Sequence, residues 1–255
     1  MREPTERFSD RVEDYVRYRP SYPEAVVEEL RAECGLDGAI VADIGSGPGN
    51  LSRLLLPYAG FIYGVEPNTG MRSAGELALG KSAKFASVGG SAEETLLPDA
   101  SVNLITAGQA YHWFRPVEAH REFARIIKPG GKAALVWNSR LTDETPFLRG
   151  YEKLLVDLAP EYSVSNHRDT PRQRMELLFS PEPMISKSFT YEQKFDWDGL
   201  KGRALSSSYV PTAGEANAAF LDGLRKLFET EQTDGTVSFL YESEVHYGTV
   251  GLSPS

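Results

Sequence analysis

Asp43 stands two residues ahead of Gly45, Gly47 and Gly49 in "VADIGSGPGNLSRLL", and Glu66 closes a second apolar run in "FIYGVEPN". Glycines at alternate positions permit a sharp turn and let a ligand approach backbone without side-chain obstruction. A dinucleotide fingerprint, G-x-G-x-x-G, would place its third glycine at position 50, which is Asn50, and no Gly-Lys-Ser/Thr ending of a phosphate loop follows. The Asp43 carboxylate would repel a pyrophosphate but suits a ligand that carries an ammonium group. Glu66, about 20 residues beyond the first turn, is placed to accept hydrogen bonds from ribose hydroxyls. His112 in "AYHWF" is the one histidine expected at the carboxyl end of a central strand, as a general base or a donor to substrate. His120, His167 and His246 share no ligand spacing, so no metal is expected.

Those residues need a scaffold, and the surrounding pattern supplies one. "AIVADIG", "FIYGVE", "AKFASVG", "SVNLITAG" and "KAALVWN" are short apolar runs that read as strands. Helical stretches alternate with them: "NLSRLLLPY", "NTGMRSAGELAL" and "PVEAHREFARIIKPGG", the last stopping at Pro129-Gly130-Gly131. Alternating, nearly all-apolar strands predict a doubly wound, mostly parallel sheet covered on both faces. Ahead of it, "DRVEDYVRYRPSYPEAVVEELRAECG" predicts two helices divided at Pro20. Behind it, "TPFLRGYEKLLVDLAP" and "GEANAAFLDGLRKLFE" are helical, with a polar, irregular stretch between them to about Pro183. "MISKSFTYEQKF" and "TVSFLYESEVHYG" alternate as strands and predict an antiparallel addition, for seven strands with the last antiparallel. One domain over 1–255 is expected, with a helical cover in 1–36, a core in 37–140 and further cover helices with the last strands in 141–255.

The 255 residues carry a net charge of -9, with no Lys/Arg run that would mark a nucleic-acid footprint. A small-molecule partner is therefore expected, and no nucleic acid. Cys34 is the sole cysteine, so no internal disulfide can form. No apolar run approaches membrane length and no secretory leader opens the chain, so a cytoplasmic location without membrane contact is expected, as monomer or homodimer.

"VADIGSGPG", "GVEPN", "GGSAEETLLPD" and "NLITAGQAYHWF" resemble the successive motifs of class I S-adenosylmethionine-dependent methyltransferases, across most of the chain. "RFSDRVEDYVRYRPSYP" and "RALSSSYVP" are similar to a small-molecule subgroup that includes trans-aconitate methyltransferase-like proteins. The resemblance implies S-adenosylmethionine as cofactor, with Gly45 and Gly47 under its methionine part and Asp43 helping to hold its ammonium end. It implies Glu66 on the ribose hydroxyls, Ser91, Ala92, Glu93 and Met71 around the adenine, and Gln109 and Ala110 bordering the sulfonium. Many relatives carry an acid at the place of Ser91.

Tyr15 and Arg19 are expected to reach the cofactor from the N-terminal helix, where aromatic faces attract a sulfonium. Tyr22, Trp113, Arg203, Ser208 and Tyr209 are the expected acceptor contacts, and Phe114 is expected as a pocket wall or as core packing. Arginine and hydroxyl donors suit a small polar or carboxylic-acid acceptor, methylated at oxygen in line with the carbon–sulfur bond. The competing readings are an S-adenosylmethionine-binding protein without catalysis, a methyltransferase acting on a macromolecule, and a nicotinamide oxidoreductase. Asn50 and Asp43 speak against the last.

Overall fold

The computed structural model describes residues 20–162, 172–207 and 209–251. Its centre is a seven-stranded sheet in the order β3-β2-β1-β4-β5-β7-β6. The strands are β1 (Ile40–Ile44), β2 (Phe61–Val65), β3 (Phe85–Val88), β4 (Val102–Gly108), β5 (Ile127–Arg140), β6 (Ile185–Phe195) and β7 (Val237–Thr249). β1 to β5 run parallel, and β7 lies antiparallel between β5 and β6. This is the expected mostly parallel, Rossmann-like sheet, with the last strand reversed.

Helices α1 (Glu24–Cys34), α2 (Asn50–Leu55), α3 (Thr69–Leu79) and α4 (Pro116–Ile126) connect and cover the parallel strands. Apolar clusters on both faces explain why β1 and β4 are nearly continuous apolar runs. α1 packs Val26, Val27 and Leu30 against Val41 and Leu104, while α4 packs Phe123 and Ile126 against Ile105 and Leu135.

Two local expectations change. The helix expected to run to Pro129-Gly130-Gly131 ends at Ile126, and β5 begins at once. The Pro-Gly-Gly lies inside that strand, where the pairing with β4 shifts register between Val102 and Leu104; such residues suit a bulge as well as a helix stop. The stretch expected to be irregular contains α6 (Arg172–Phe179), whose Met175, Leu178 and Phe179 join the α4-side core. The N-terminal helix expected before Pro20 lies outside the described residues.

The cover has its own core. α5 (Pro146–Leu158), α7 (Trp197–Leu205) and α8 (Gly214–Glu231) surround Phe239 and Tyr241 with Leu148, Tyr151, Leu200, Phe220 and Leu224. β7 runs against β5, so the start of β7 lies beside the end of β5: Tyr241 pairs with Arg140. The cover therefore sits at the carboxyl ends of the parallel strands. That is where ligands bind in open α/β sheets.

Candidate active site

The turn after β1 is fixed by backbone hydrogen bonds to its neighbour: Gly45 and Ser46 N–H both donate to the Val65 carbonyl, at 2.8 and 3.1 Å. Gly45 has φ +66, and a Cβ there would come 2.6 Å from the Ala110 Cβ. Only glycine lets the turn after β1 nest against the turn after β4. Gly47, at φ +55, differs: a Cβ there would meet nothing within 4 Å. The first glycine is needed for the protein's own packing. The second leaves a bare backbone facing open space.

Glu66 ties the two turns together. Its Oε2 accepts the Gly47 N–H at 2.9 Å and its Oε1 accepts the Asn68 N–H at 2.8 Å. The carboxylate is only 8% exposed. Burial pushes its pKa up, against the pull of those two N–H donors and the nearby Arg72 guanidinium. Each oxygen retains a lone pair, so the group can still accept a pair of vicinal hydroxyls. Asn68 caps α3 through the Met71 N–H, at 2.9 Å, and this sets the buried Met71 in the first turn beside Glu66.

Asp43 is fully buried and lies next to Thr106 across the β1–β4 ladder. Ser52 Oγ donates to it at 2.6 Å and Thr106 Oγ1 at 2.9 Å. Burial pushes its carboxyl up to about 6, with a further push from Glu66, while the two hydroxyls pull the other way. A carboxyl raised in the folded state stabilises the fold fully below its unfolded value near 4 and loses that contribution as pH climbs through 6. Asp43→Asn cannot titrate. Urea unfolding should therefore show the wild-type advantage over Asp43→Asn shrinking by roughly 2–3 kcal/mol from pH 4 to pH 7. A pH-independent difference would show that Asp43 does not titrate in that window.

The expected adenine-side residues form a turn after β3. Ala92 is buried, and Ser91 Oγ accepts the N–H groups of Glu93 and Glu94, both at 3.2 Å. The Glu93 carboxylate accepts the Arg115 N–H at 2.8 Å, at the start of α4, so its side chain is committed to the protein. Beyond β4, Gln109 adopts φ +56 and donates from Nε2 to the Asn138 carbonyl at 2.8 Å. Ala110 is buried under the Gly45 turn.

The acceptor-side expectations divide across β5. His112 stacks near Trp113 and Trp137, at ring distances of 4.7 and 5.9 Å, and Trp113 is 37% exposed. Of the two readings expected for Phe114, core packing is the one seen: it is buried against Tyr111 and Phe123 on the α4 side. Successive strand residues face opposite ways, so Asn138 and Arg140 lie across the sheet from Trp137. Asn138 Nδ2 donates to the Ser21 carbonyl at 2.8 Å, which seats the neighbouring Tyr22 on this face. The Tyr22 hydroxyl lies 2.6 Å from where a Gly108 Cβ would be. Arg203, in the last turn of α7, is 5% exposed and donates to Tyr241 Oη at 3.4 Å and Ser207 Oγ at 3.2 Å. Tyr209 packs on the Tyr162 ring at 4.9 Å. Tyr15, Arg19 and Ser208 lie outside the described residues.

A methyltransferase-domain family profile matches residues 42–135, the segment that carries both acids and the glycine turn. An uncharacterized methyltransferase of Mycobacterium tuberculosis is 31% identical over 230 residues, covering 88% of this chain and 86% of that one. The chain belongs to the S-adenosylmethionine-dependent methyltransferases. The methyltransferase also shares 28% identity over 126 residues, 47% of its length and 43% of the relative's, with the probable S-adenosylmethionine-dependent methyltransferase CRG1 of Saccharomyces cerevisiae. Its fold matches a structure assigned as a type II methyltransferase from Anaeromyxobacter dehalogenans, with TM-score 0.64, 22% identity and 91% and 98% of the two chains covered. It also matches geranyl diphosphate C-methyltransferase of Streptomyces coelicolor, solved with Mg2+, geranyl diphosphate and S-adenosyl-L-homocysteine, at TM-score 0.50, 14% identity and 89% and 78% coverage.

The cofactor of this methyltransferase is S-adenosylmethionine, and the residues present fit it. The open space at Gly47 and the half-satisfied Glu66 carboxylate suit an amino acid joined to a ribose, while Asp43 lies wholly buried beneath the turn with both oxygens bonded to Ser52 and Thr106. Two residues escaped sequence reasoning, Arg140 and its partner Glu152, because no local motif marks either. Arg140 donates to the Glu152 carboxylate and, at 3.0 Å, to Tyr162 Oη, inside the cover. Among the described residues, no three of His, Cys, Asp and Glu group to hold a metal, and no helix is long and apolar enough to cross a membrane.

Proposed function

We propose that this methyltransferase transfers a methyl group to oxygen on a small anionic acceptor, a carboxylic acid, held by Arg203 under the helical cover. One observation carries the reading: Arg203 is a buried guanidinium bonded only to hydroxyls, with no carboxylate partner among the described residues. An isolated buried charge is costly, and a ligand anion would neutralise it. The guanidinium fork fits a carboxylate in two parallel hydrogen bonds.

When bound, the cofactor supplies a methyl group already made electrophilic by its sulfonium. The acceptor oxygen's lone pair forms the new carbon–oxygen bond as the carbon–sulfur bond breaks, and its electrons return to sulfur. A carboxylate has no proton to lose, so no general base is required; for a hydroxyl acceptor, His112 beyond the end of β4 would take one. The chain's own task is alignment and exclusion of water. Gln109, pinned to β5 through the Asn138 carbonyl, and Tyr22, seated on Gly108, supply a rigid floor for that alignment. The cover supplies the roof. A free small molecule, rather than nucleic acid, fits a chain of net charge -9 acting in the cytoplasm.

Calorimetry should show heat with S-adenosylhomocysteine and none with NAD. A panel of small carboxylic acids, incubated with S-adenosylmethionine and read by mass, should yield a product 14 Da heavier from at least one member. Tight NAD binding would remove the cofactor assignment. Turnover confined to neutral or polymeric acceptors would remove the anion.

A further inference from the structure

Arg140 and Arg203 enter the cover from different elements, β5 and α7, yet share one set of neighbours. The Arg140 guanidinium lies 5.1 Å from the Tyr151 ring centre and that of Arg203 5.7 Å from the Phe239 ring centre, while the Tyr151 and Phe239 rings touch at 4.8 Å. Tyr241, the cross-strand partner of Arg140, accepts the Arg203 Nε–H. Tyr162 Oη accepts from Arg140 and donates to Glu152 Oε1 at 2.7 Å. Arg140 Nη1 is buried with no acceptor among the described residues.

Glu152 is the one carboxylate among the described residues that pairs with either arginine. Among the described residues, two guanidiniums and one carboxylate leave the cluster with a single excess positive charge. We propose that Glu152 sets the charge of the acceptor: by neutralising Arg140 it leaves one buried guanidinium open, so the site takes a monoanion rather than a dianion. This rests on the reading that an anion binds at Arg203 and adds the count of charges. A second acceptor carboxylate would meet the Arg140–Glu152 pair and would have to displace Glu152, leaving that carboxylate buried without its partner. The same arithmetic favours turnover. Methylating a monocarboxylate gives a neutral ester that no longer pairs with Arg203, whereas a dicarboxylate's monoester would keep a charge and remain bound.

The test uses the full chain loaded with S-adenosylhomocysteine and straight-chain carboxylates of four to eight carbons, each as the mono- and the dicarboxylate, titrated at pH 7.5. Wild type should bind the monocarboxylate of a matched pair at least tenfold more tightly. Glu152→Gln, which raises the excess charge to two, should reverse or erase that preference. Glu152→Gln combined with Arg140→Met returns the excess to one and should restore it. A wild-type preference for dicarboxylates overturns the proposal even if no variant folds. So does a preference unmoved by Glu152→Gln while both series still bind. If wild type binds neither series, the anion reading at Arg203 fails, and the charge count fails with it.

Discussion

Replacing Glu66 with alanine is expected to raise the dissociation constant for S-adenosylhomocysteine by about tenfold to a hundredfold, from the loss of charge-assisted hydrogen bonds to the ribose. The upper part of the range is the expected one, because the carboxylate has a second task. It also holds the Gly47 and Asn68 N–H groups, one from each turn of the cofactor crevice. With alanine, both donors lose their acceptor and the glycine turn loses its tie to α3. Glu66→Gln separates the two tasks. Its carbonyl oxygen can serve one of the N–H groups, but its NH2 meets the other as donor against donor. The glutamine variant should therefore fall between wild type and alanine. Calorimetric titration of the three proteins checks this, with thermal unfolding run beside it. An alanine variant that keeps wild-type affinity would show that Glu66 is not the ribose ligand.

The ease with which Glu66 could be found contrasts with Arg140, and the reason is physical. Asp43, Gly45, Gly47 and Glu66 sit at the ends of two consecutive strands, so strand, turn, helix and strand present them in order along the chain. Chain order and spatial order coincide there, and the apolar runs of β1 and β2 frame the acids. The cover has no such coincidence. Arg140 ends β5, Glu152 lies in α5 and Arg203 in α7, and they meet only because β7 reverses and lays Tyr241 beside Arg140. Nothing local distinguishes Arg140 from a solvated arginine in a turn. Arg203 was visible only through the neighbouring serines and tyrosine, not through its burial.

Helix α6 was hidden for a different reason. "RQRMELLF" spends half its residues on polar or charged side chains, and only the packing of Met175, Leu178 and Phe179 on Tyr111 and Phe114 makes it a helix of the core. Its neighbours reinforce that seat. Tyr111 Oη donates to the Arg174 carbonyl at 3.1 Å, and the Arg174 guanidinium donates to the Phe114 carbonyl. These contacts also explain why Phe114 behaves as core. An aromatic residue just past a strand end can turn either way. Here the Gly45 turn and α6 close over it.

Arg203→Met should cut kcat/KM for a carboxylate acceptor by about thirtyfold to a thousandfold, the 2–4 kcal/mol range for removing one partner of a buried charge pair. Cofactor affinity should stay near wild type, since the cofactor crevice and α7 share no hydrogen bond among the described residues. Stability gives the discriminating readout. A structural arginine, bonded to Tyr241 and Ser207 and stacked on Phe239, would cost melting temperature when removed. An arginine kept for a ligand anion is an uncompensated charge in the free protein, so methionine of similar volume should hold the melting temperature or raise it. Loss of turnover with retained or increased stability is therefore the expected signature. Arg203→Lys keeps the charge but not the planar fork and should recover only part of the rate. Arg19, which lies outside the described residues, is the comparison: expected nearer the cofactor, its replacement should alter cofactor and acceptor terms together. A methionine variant that melts lower yet turns over a carboxylate like wild type would make Arg203 a packing residue. The acceptor would then be sought among neutral molecules.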